Sequence, residues 1–370
     1  MIDDYPPEPP PKPGGARESK RERDPSNTAG LHRAQLLEIY RLLVETRRLE
    51  ELLETLKKQG EISGSVYRSL GQEGTAVGAA YALRDGDVLQ PMIRDVGAML
   101  THGVTPIALL RQYLGRATSP SAGRDLNNHF SAPGLGLLGP VSMLGAMVPV
   151  LAGALYADRL QGKNTVGLGF IGDGGSSTGA FYEGINFAAL QRLPLVMIIE
   201  ANRFAFSTPT EAQLPDGDLL RRARGFGAWV SHVDGNDALA VFSASQQAFA
   251  RARNGEGVTL IVADTFRRGG HADHDRQGYV SDKELAAWER QNDPVTRFER
   301  FLTKGKHASR KVLGEIRDEV DHALTHARER ALAEPSPNLV SIGEGVFAGA
   351  RPWPDPASWW RGGASLRERG

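Results

Sequence analysis

Apolar positions recur at helical spacing from near Ala34, where Leu36, Leu37, Tyr40, Leu43 and Val44 share one face. Ahead of them, residues 1–29 are rich in proline, glycine and charge, with little to bury, and a disordered arm is expected there. GQEGTAVGAAYAL (71–83) predicts a second helix, built of small residues that let another backbone pack close. LGAMVPVLAGALYADRL (144–160) predicts a third, so continuously apolar that burial on most sides is expected. The centre of the chain then alternates. NTVGLGFIG and PLVMIIEAN read as buried strands on either side of a helix at TGAFYEGINFAALQ, and the strand VTLIVADTF (258–266) follows a helix near 238–252. Apolar strands alternating with helices predict an α/β fold of three layers, a parallel sheet with helices on both faces. After Gly270 the chain turns polar: a loop at GGHADHDRQGYVSD, a helix from about 282, and a charged helix at 308–333 with Ile316, Val320, Leu324 and Ala327 on one stripe. The folded body is thus expected over 30–333. A tail at 334–370 follows, in which Trp353, Trp359 and Trp360 suggest docking.

Composition narrows the function classes. The 370 residues are 40% apolar, enough for one large or two ordinary domains. Forty-four basic residues balance forty-four acidic ones, without the basic excess that nucleic-acid or anionic-membrane binding usually leaves. The absence of cysteine excludes disulfides, thiolate metal sites and a cysteine nucleophile. The opening MIDDYPPEPPPKPGG lacks the basic start and apolar core of a signal peptide. No apolar run approaches the roughly 20 residues needed to cross a bilayer. A cytoplasmic location is expected.

The stretch VGLGFIGDGG (166–175) carries two competing readings. Gly167, Gly169 and Gly172 spell GxGxxG, the dinucleotide fingerprint of a nicotinamide dehydrogenase, whose glycines follow a strand. Here the apolar run is VGLGFI itself, so Gly167 and Gly169 fall inside the strand. Taking Gly172-Asp173-Gly174 as the turn instead places Asp173 at the carboxyl end of one strand and Asn202 at the end of the next. A strand–helix–strand unit brings such ends together at the mouth of the sheet. A carboxylate, an amide oxygen and a nearby carbonyl are hard ligands of the kind magnesium accepts, alongside substrate phosphates. The free N–H groups of a helix starting near Ser177 favour an anion at the same place. Together these features imply a magnesium-bridged diphosphate.

GDGGSSTGAFYEGINFAAL followed by LPLVMIIEANRFAFSTPT resembles the thiamine diphosphate motif, GDG with an asparagine about thirty residues on. More narrowly, the chain resembles the alpha subunit of the decarboxylating component of 2-oxo acid dehydrogenase complexes, of the branched-chain 2-oxo acid and pyruvate type. The resemblance runs from about 34 to 345 through LGQEGTAVGAAYAL, RDVGAMLTHGV, LGAMVPVLAGALYA, FAFSTPT, VDGND and GGHADHD with ELAAWERQNDPVTRF. It implies a thiamine diphosphate-binding fold and a magnesium ion held by Asp173, Asn202 and the Phe204 carbonyl. Gly174 and Gly175 would admit the diphosphate and Arg94 would bind it. Ser142 and Leu144 would line the cofactor's bent middle and its aminopyrimidine. His271, on a mobile loop, would assist proton transfers and reductive acylation, with Arg267 supporting the loop or a phosphate. HADHD is also readable as a solvated or adventitiously metal-binding loop. The implied activity is decarboxylation of a 2-oxo acid with transfer of the acyl unit to a lipoyl arm on an acyltransferase core. The glutamate that activates the cofactor belongs to a separate beta subunit, so an α2β2 heterotetramer is implied, inactive as the alpha chain alone.

Five positions depart from the family pattern. Ile93 replaces a tyrosine that usually reaches the diphosphate, Glu200 stands where arginine or glutamine is usual, and Ala201 replaces the first of an Asn-Asn pair. A carboxylate at Glu200 would repel a diphosphate unless it turned away or gained a partner, which opens the alternative of a non-catalytic or regulatory paralogue. Tyr67 stands where pyruvate-specific relatives carry histidine, favouring branched-chain 2-oxo acids. In addition, Ala272 takes the place of the serine phosphorylated in mitochondrial relatives, which removes that switch.

Overall fold

The computed structural model describes residues 23–344 and 355–361. Five parallel strands form the sheet: β1 (Val88–Gln90), β2 (Gly167–Gly172), β3 (Leu195–Ala201), β6 (Trp229–Asp234) and β7 (Thr259–Asp264), in the order β1-β2-β3-β7-β6. Between β3 and β6 the chain makes a small antiparallel ribbon of β4 (Phe204–Ala205) and β5 (Thr208–Pro209).

Successive residues of β3 point to opposite faces, and both faces are covered. Val196 and Ile198 join a core with α1 (Arg33–Lys58), α2 (Glu73–Ala80) and α9 (Ala238–Arg253). Leu195, Met197 and Ile199 join a second core with α5 (Met147–Leu160), α6 (Gly179–Leu190) and α8 (Leu219–Arg224). The expected three-layer α/β fold with a parallel sheet is therefore present. Beyond β7 come α10 (Asp282–Asn292), α11 (Pro294–Lys304) and α12 (Arg310–Ala333), the last burying Ile316, Val320 and Leu324 on the expected stripe.

Gly167 and Gly169 do lie inside β2. A Cβ on Gly167 would come within 2.7 Å of the Leu155 side chain, and one on Gly169 within 2.5 Å of Met197. These glycines let side chains pack down onto the strand, so they are not the phosphate turn of a dinucleotide fold.

The expectation for α5 needs correction. It buries only Val148, Leu151, Ala152 and Leu155, while Val150 is 49% exposed and Leu160 72% exposed. The helix packs through one stripe against β2 and α6, and the described residues leave its opposite side open. Two strands were not anticipated. β1 has only three residues, and β6 is a half-exposed edge strand, WVSHVD, with no unbroken apolar run.

Within the expected arm, Arg23 pairs with Asp237 at 2.8 Å and the Pro25 carbonyl meets His307 Nε2 at 2.9 Å; residues 1–22 lie outside the described residues. In the tail, Trp359 is buried edge-on against Phe130, and Trp360 packs edge-on against His102. The carbonyl of Trp359 accepts the Thr105 hydroxyl at 2.8 Å, and Arg361 pairs with Glu45. The docking suggested for these two tryptophans is thus found on the chain itself, whereas Trp353 lies outside the described residues. No described helix is long and apolar enough to cross a membrane.

Candidate functional site

The expected strand ends meet. Gly172 is in register with Glu200, so Asp173 and Asn202 leave neighbouring strands at the same edge of the sheet. The Asn202 carbonyl accepts the Arg267 N–H at 3.3 Å, which adds the end of β7 to the same place. Carboxyl ends of parallel strands are where such sheets bind ligands.

Asp173 is buried, with three hydrogen bonds around it. Oδ1 accepts the Gly174 N–H at 2.7 Å, and Oδ2 accepts the Thr210 hydroxyl at 2.7 Å and Gln213 Nε2 at 3.1 Å. Burial pushes its carboxyl above the ordinary range, against the pull of those donors. Beside it, Asn202 Oδ1 is buried with no hydrogen-bond partner among the described residues. A buried acceptor left unmet costs roughly 1–3 kcal/mol, so this oxygen calls for a cation or a donor. An amide oxygen awaiting a partner, next to a buried carboxylate, suits a magnesium ion's preference for oxygen ligands. Phe204 follows two residues on at the start of β4, its ring packed against Phe266 and Tyr279. Groups of three or more His, Cys, Asp or Glu fit for a metal are absent among the described residues, HADHD included.

Gly174 and Gly175 have room for nothing larger. A Cβ at Gly174 would stand 2.4 Å from that of Ala205, and one at Gly175 would stand 2.7 Å from Ile171. The chain then makes a short 3-10 turn over Gly175–Ser177 before α6 begins at Gly179, capped by the Thr178 hydroxyl accepting the Phe181 N–H. The helix therefore starts slightly later than expected, but its N-terminus still follows the Asp173 turn. Leu144 comes close to Gly175 and lines a cleft with Gln90, Met92 and Ile171. Ser142 is not gathered in with these; its hydroxyl meets His129 Nε2 at 3.4 Å.

The remaining expected residues form one connected group. Buried Arg94 donates to the Arg68 carbonyl at 2.6 Å and to the His271 carbonyl at 2.9 Å, clasping two loops. Burial and the neighbouring Arg267 charge pull its guanidinium down to about 10, leaving it a cation at neutral pH. Arg267, fully buried, donates to His271 Nδ1 at 3.2 Å and to the Phe206 carbonyl and the Tyr279 hydroxyl at 2.5 Å each. Asp275 accepts the His271 N–H at 2.6 Å and the Tyr279 hydroxyl at 2.7 Å, fixing the loop from its other side. The His271 ring sits 4.8 Å from Phe206 and 5.6 Å from Tyr67, centroid to centroid. Burial, with Arg94 and Arg267 close by, lowers its pKa to about 4. At neutral pH it is an uncharged imidazole, and the donor at Nδ1 assigns its hydrogen to Nε2.

Glu200 shows how an acidic residue is accommodated beside an anion site. It is wholly buried, with the Asp95 carboxyl close by. Burial and the nearby Asp95 carboxyl push its pKa well above the carboxylate range. Burial thus disfavours the ionised form of Glu200, which lessens the charge that would repel a diphosphate. Ile93 offers only its carbonyl, which accepts Asn128 Nδ2 at 2.9 Å. The residues that sequence reasoning left out are Thr210, Gln213, Asp275 and Tyr279. Thr210 closes the FAFSTPT motif and Asp275 closes HADHD, so both stood in view, but Gln213 and Tyr279 carried no signal of their own.

Residues 40–340 match the family model for the dehydrogenase E1 component. The alpha subunit of acetoin:2,6-dichlorophenolindophenol oxidoreductase from Cupriavidus necator is 33% identical over 317 residues, covering 86% of this chain and 95% of that one. The pyruvate dehydrogenase E1 alpha subunit of Staphylococcus aureus is 38% identical over 270 residues, 72% of this chain and 70% of that one. Its counterpart in Rhizobium meliloti is 30% identical over 327 residues, 88% and 94% of the two chains. With this extent of match, and with the Asp173–Asn202 turn at the mouth of a parallel sheet, the chain belongs to the dehydrogenase E1 component family, as an alpha subunit of the thiamine diphosphate-dependent 2-oxo acid dehydrogenases.

Proposed function

We propose that this chain is the alpha subunit of a magnesium- and thiamine diphosphate-dependent dehydrogenase that decarboxylates a 2-oxo acid and passes the acyl unit to a lipoyl group. The observation that carries the reading is the unpartnered Asn202 oxygen beside the buried Asp173 carboxylate. Asp173, Asn202 and the Phe204 carbonyl would hold the metal, and Gly174 and Gly175 would let the diphosphate approach. The cofactor, when bound, would supply the nucleophilic carbon and the electron sink that let the substrate lose its carboxylate as carbon dioxide. Arg94 brings positive charge to the phosphate side. Arg267 orients the uncharged His271 ring, which can take up and return a proton during acyl transfer. Tyr67 and Phe206 flank that ring and would meet the substrate's side chain.

An exposed apolar face supports a beta-subunit partner in an α2β2 assembly. Val150 and Leu160 on α5, with Tyr182, Phe187 and Leu190 on α6, present large side chains that the described residues leave exposed. Surfaces of this kind mark protein interfaces. Transfer of the acyl unit would in turn require a lipoyl acyltransferase core. As to substrate, the branched-chain leaning rests on Tyr67 alone, and the relatives above are named for pyruvate and acetoin. Acetoin is the second reading, favoured by the near-complete coverage of the Cupriavidus subunit.

Calorimetry of thiamine diphosphate with magnesium, on the chain co-expressed with its beta partner, tests this. Binding should need magnesium and disappear in Asp173→Ala. Turnover with pyruvate, acetoin and branched-chain 2-oxo acids then ranks the substrates. A well-folded assembly that binds no cofactor would overturn the reading in favour of a non-catalytic paralogue.

A further inference from the structure

The turn proposed for the diphosphate has no cation of its own: the run from Asp173 to Leu190 contains neither lysine nor arginine. Arg94 and Arg267 bring charge to it from other loops. Their Nη groups, however, are already held by backbone carbonyls, by His271 and by Tyr279. Glu200, on the neighbouring strand, adds no positive charge. A third guanidinium arrives from α8.

Asp218 caps α8 by accepting the Leu220 and Arg221 N–H groups at 2.9 and 3.1 Å, and Leu219 and Ala223 bury its inner side. The next two side chains then diverge. Arg221 pairs with Asp216 at the surface, whereas Arg222 reaches the turn. Its Nη1 donates to the Ser176 hydroxyl at 3.0 Å and to the Ser177 hydroxyl at 2.9 Å, one bond for each hydrogen. The guanidinium carbon lies 5.9 Å from the Tyr182 ring centroid. No carboxylate among the described residues pairs with Arg222, so its charge is uncompensated.

Each serine relays that contact. Ser176 is wholly buried and gives its own hydrogen to the Asp173 carbonyl at 2.6 Å, so Arg222 stands two hydrogen bonds from Asp173. Ser177 is exposed, and with its oxygen taken by Arg222 its hydrogen is left to donate outward. An anion at the Asp173 turn would lie within a Debye length of the guanidinium, roughly 8–10 Å at ordinary salt. We propose that Arg222 is a diphosphate-positioning residue. It fixes the Gly175–Ser177 turn, aims the Ser177 hydroxyl and adds the unpaired positive charge that the turn itself lacks. This role rests on the thiamine diphosphate reading above.

The test is calorimetry of thiamine diphosphate with magnesium, on the chain assembled with its beta partner, at low and at high salt. Arg222→Gln should weaken binding by about tenfold, the weight of one charge-assisted contact, and flatten its salt dependence. Arg222→Lys keeps the charge and should recover most of the affinity together with the salt dependence. Ser177→Ala, an exposed substitution, should weaken binding by about threefold, as loss of one neutral donor does. Wild-type affinity in Arg222→Gln or in Ser177→Ala would overturn the assignment. So would equal losses in the Gln and Lys variants with unchanged salt dependence, which would make Arg222 only a brace of the turn. Failure of the wild-type assembly to bind would instead overturn the function proposed above, and this role with it.

Discussion

Glu50 illustrates what burial does to one ionisable group. It accepts the N–H and the hydroxyl of Ser69 at 2.8 Å each, wholly inside the protein. Burial, reinforced by the charge of Glu73, pushes its carboxyl up to about 8. The folded chain thus keeps a proton that the unfolded chain has released. The stability tied to it is complete below about pH 4.5 and is lost as pH rises through 8. Glu50→Gln should flatten that decline, so urea unfolding at the two ends of the window should separate variant from wild type; equal losses would acquit Glu50. His271 works in the opposite sense. Its lowered pKa means that stability is complete above the ordinary histidine value of 6.5 and is lost as pH falls towards 4. Imidazole NMR should show the ring neutral at mildly acidic pH, with Phe206→Ala moving its titration upward by re-admitting water. That Asp173, Asn202, Arg94 and His271 are candidates was legible in the sequence because each stands in a motif, and Arg267 lies four residues from His271. Gln213 and Tyr279 were not, because only tertiary folding brings their side chains to Asp173 and Arg267.

Among the elements, α2 shows how small residues set a helix's distance from its neighbour. All eight of its residues are buried. A Cβ on Gly78 would stand 2.5 Å from the Ala238 carbonyl, and one on Gly74 would stand 2.9 Å from that of Gly235. Gly78→Ala should therefore force α2 away from α9 and cost about 1–3 kcal/mol in denaturant unfolding. An unchanged midpoint would show that the two helices have slack between them. That close approach was readable from GQEGTAVGAAYAL, as the central strands were from their unbroken apolar runs. β6 escaped notice because an edge strand has one wet face and so a diluted pattern. The burial of α5 was overestimated for a related reason: hydropathy says that a face needs covering, and it does not say which chain covers it.

For the whole molecule, the α5–α6 surface is the counterpart of that uncovered face. Phe187→Asp with Leu190→Asp should abolish co-purification with the beta subunit while leaving the alpha chain's thermal unfolding nearly unchanged, since Leu190 is 76% exposed. Retained assembly would place the interface elsewhere. Another part of the body already has its cover. Gly103, with φ at +127°, makes a notch in which a Cβ would stand 2.8 Å from the Trp360 indole, and the Arg361 N–H reaches the Gly103 carbonyl at 2.9 Å. Both residues lie beyond the family match, which ends at 340. A gene trimmed to that homologous segment would retain every residue proposed for chemistry and still encode a poor protein. With the indoles gone, Phe130 and the α3 helix (Val96–His102) would meet water, inviting aggregation before any cofactor could be tried. For this chain the limit of the family model falls short of the contacts that hold the fold.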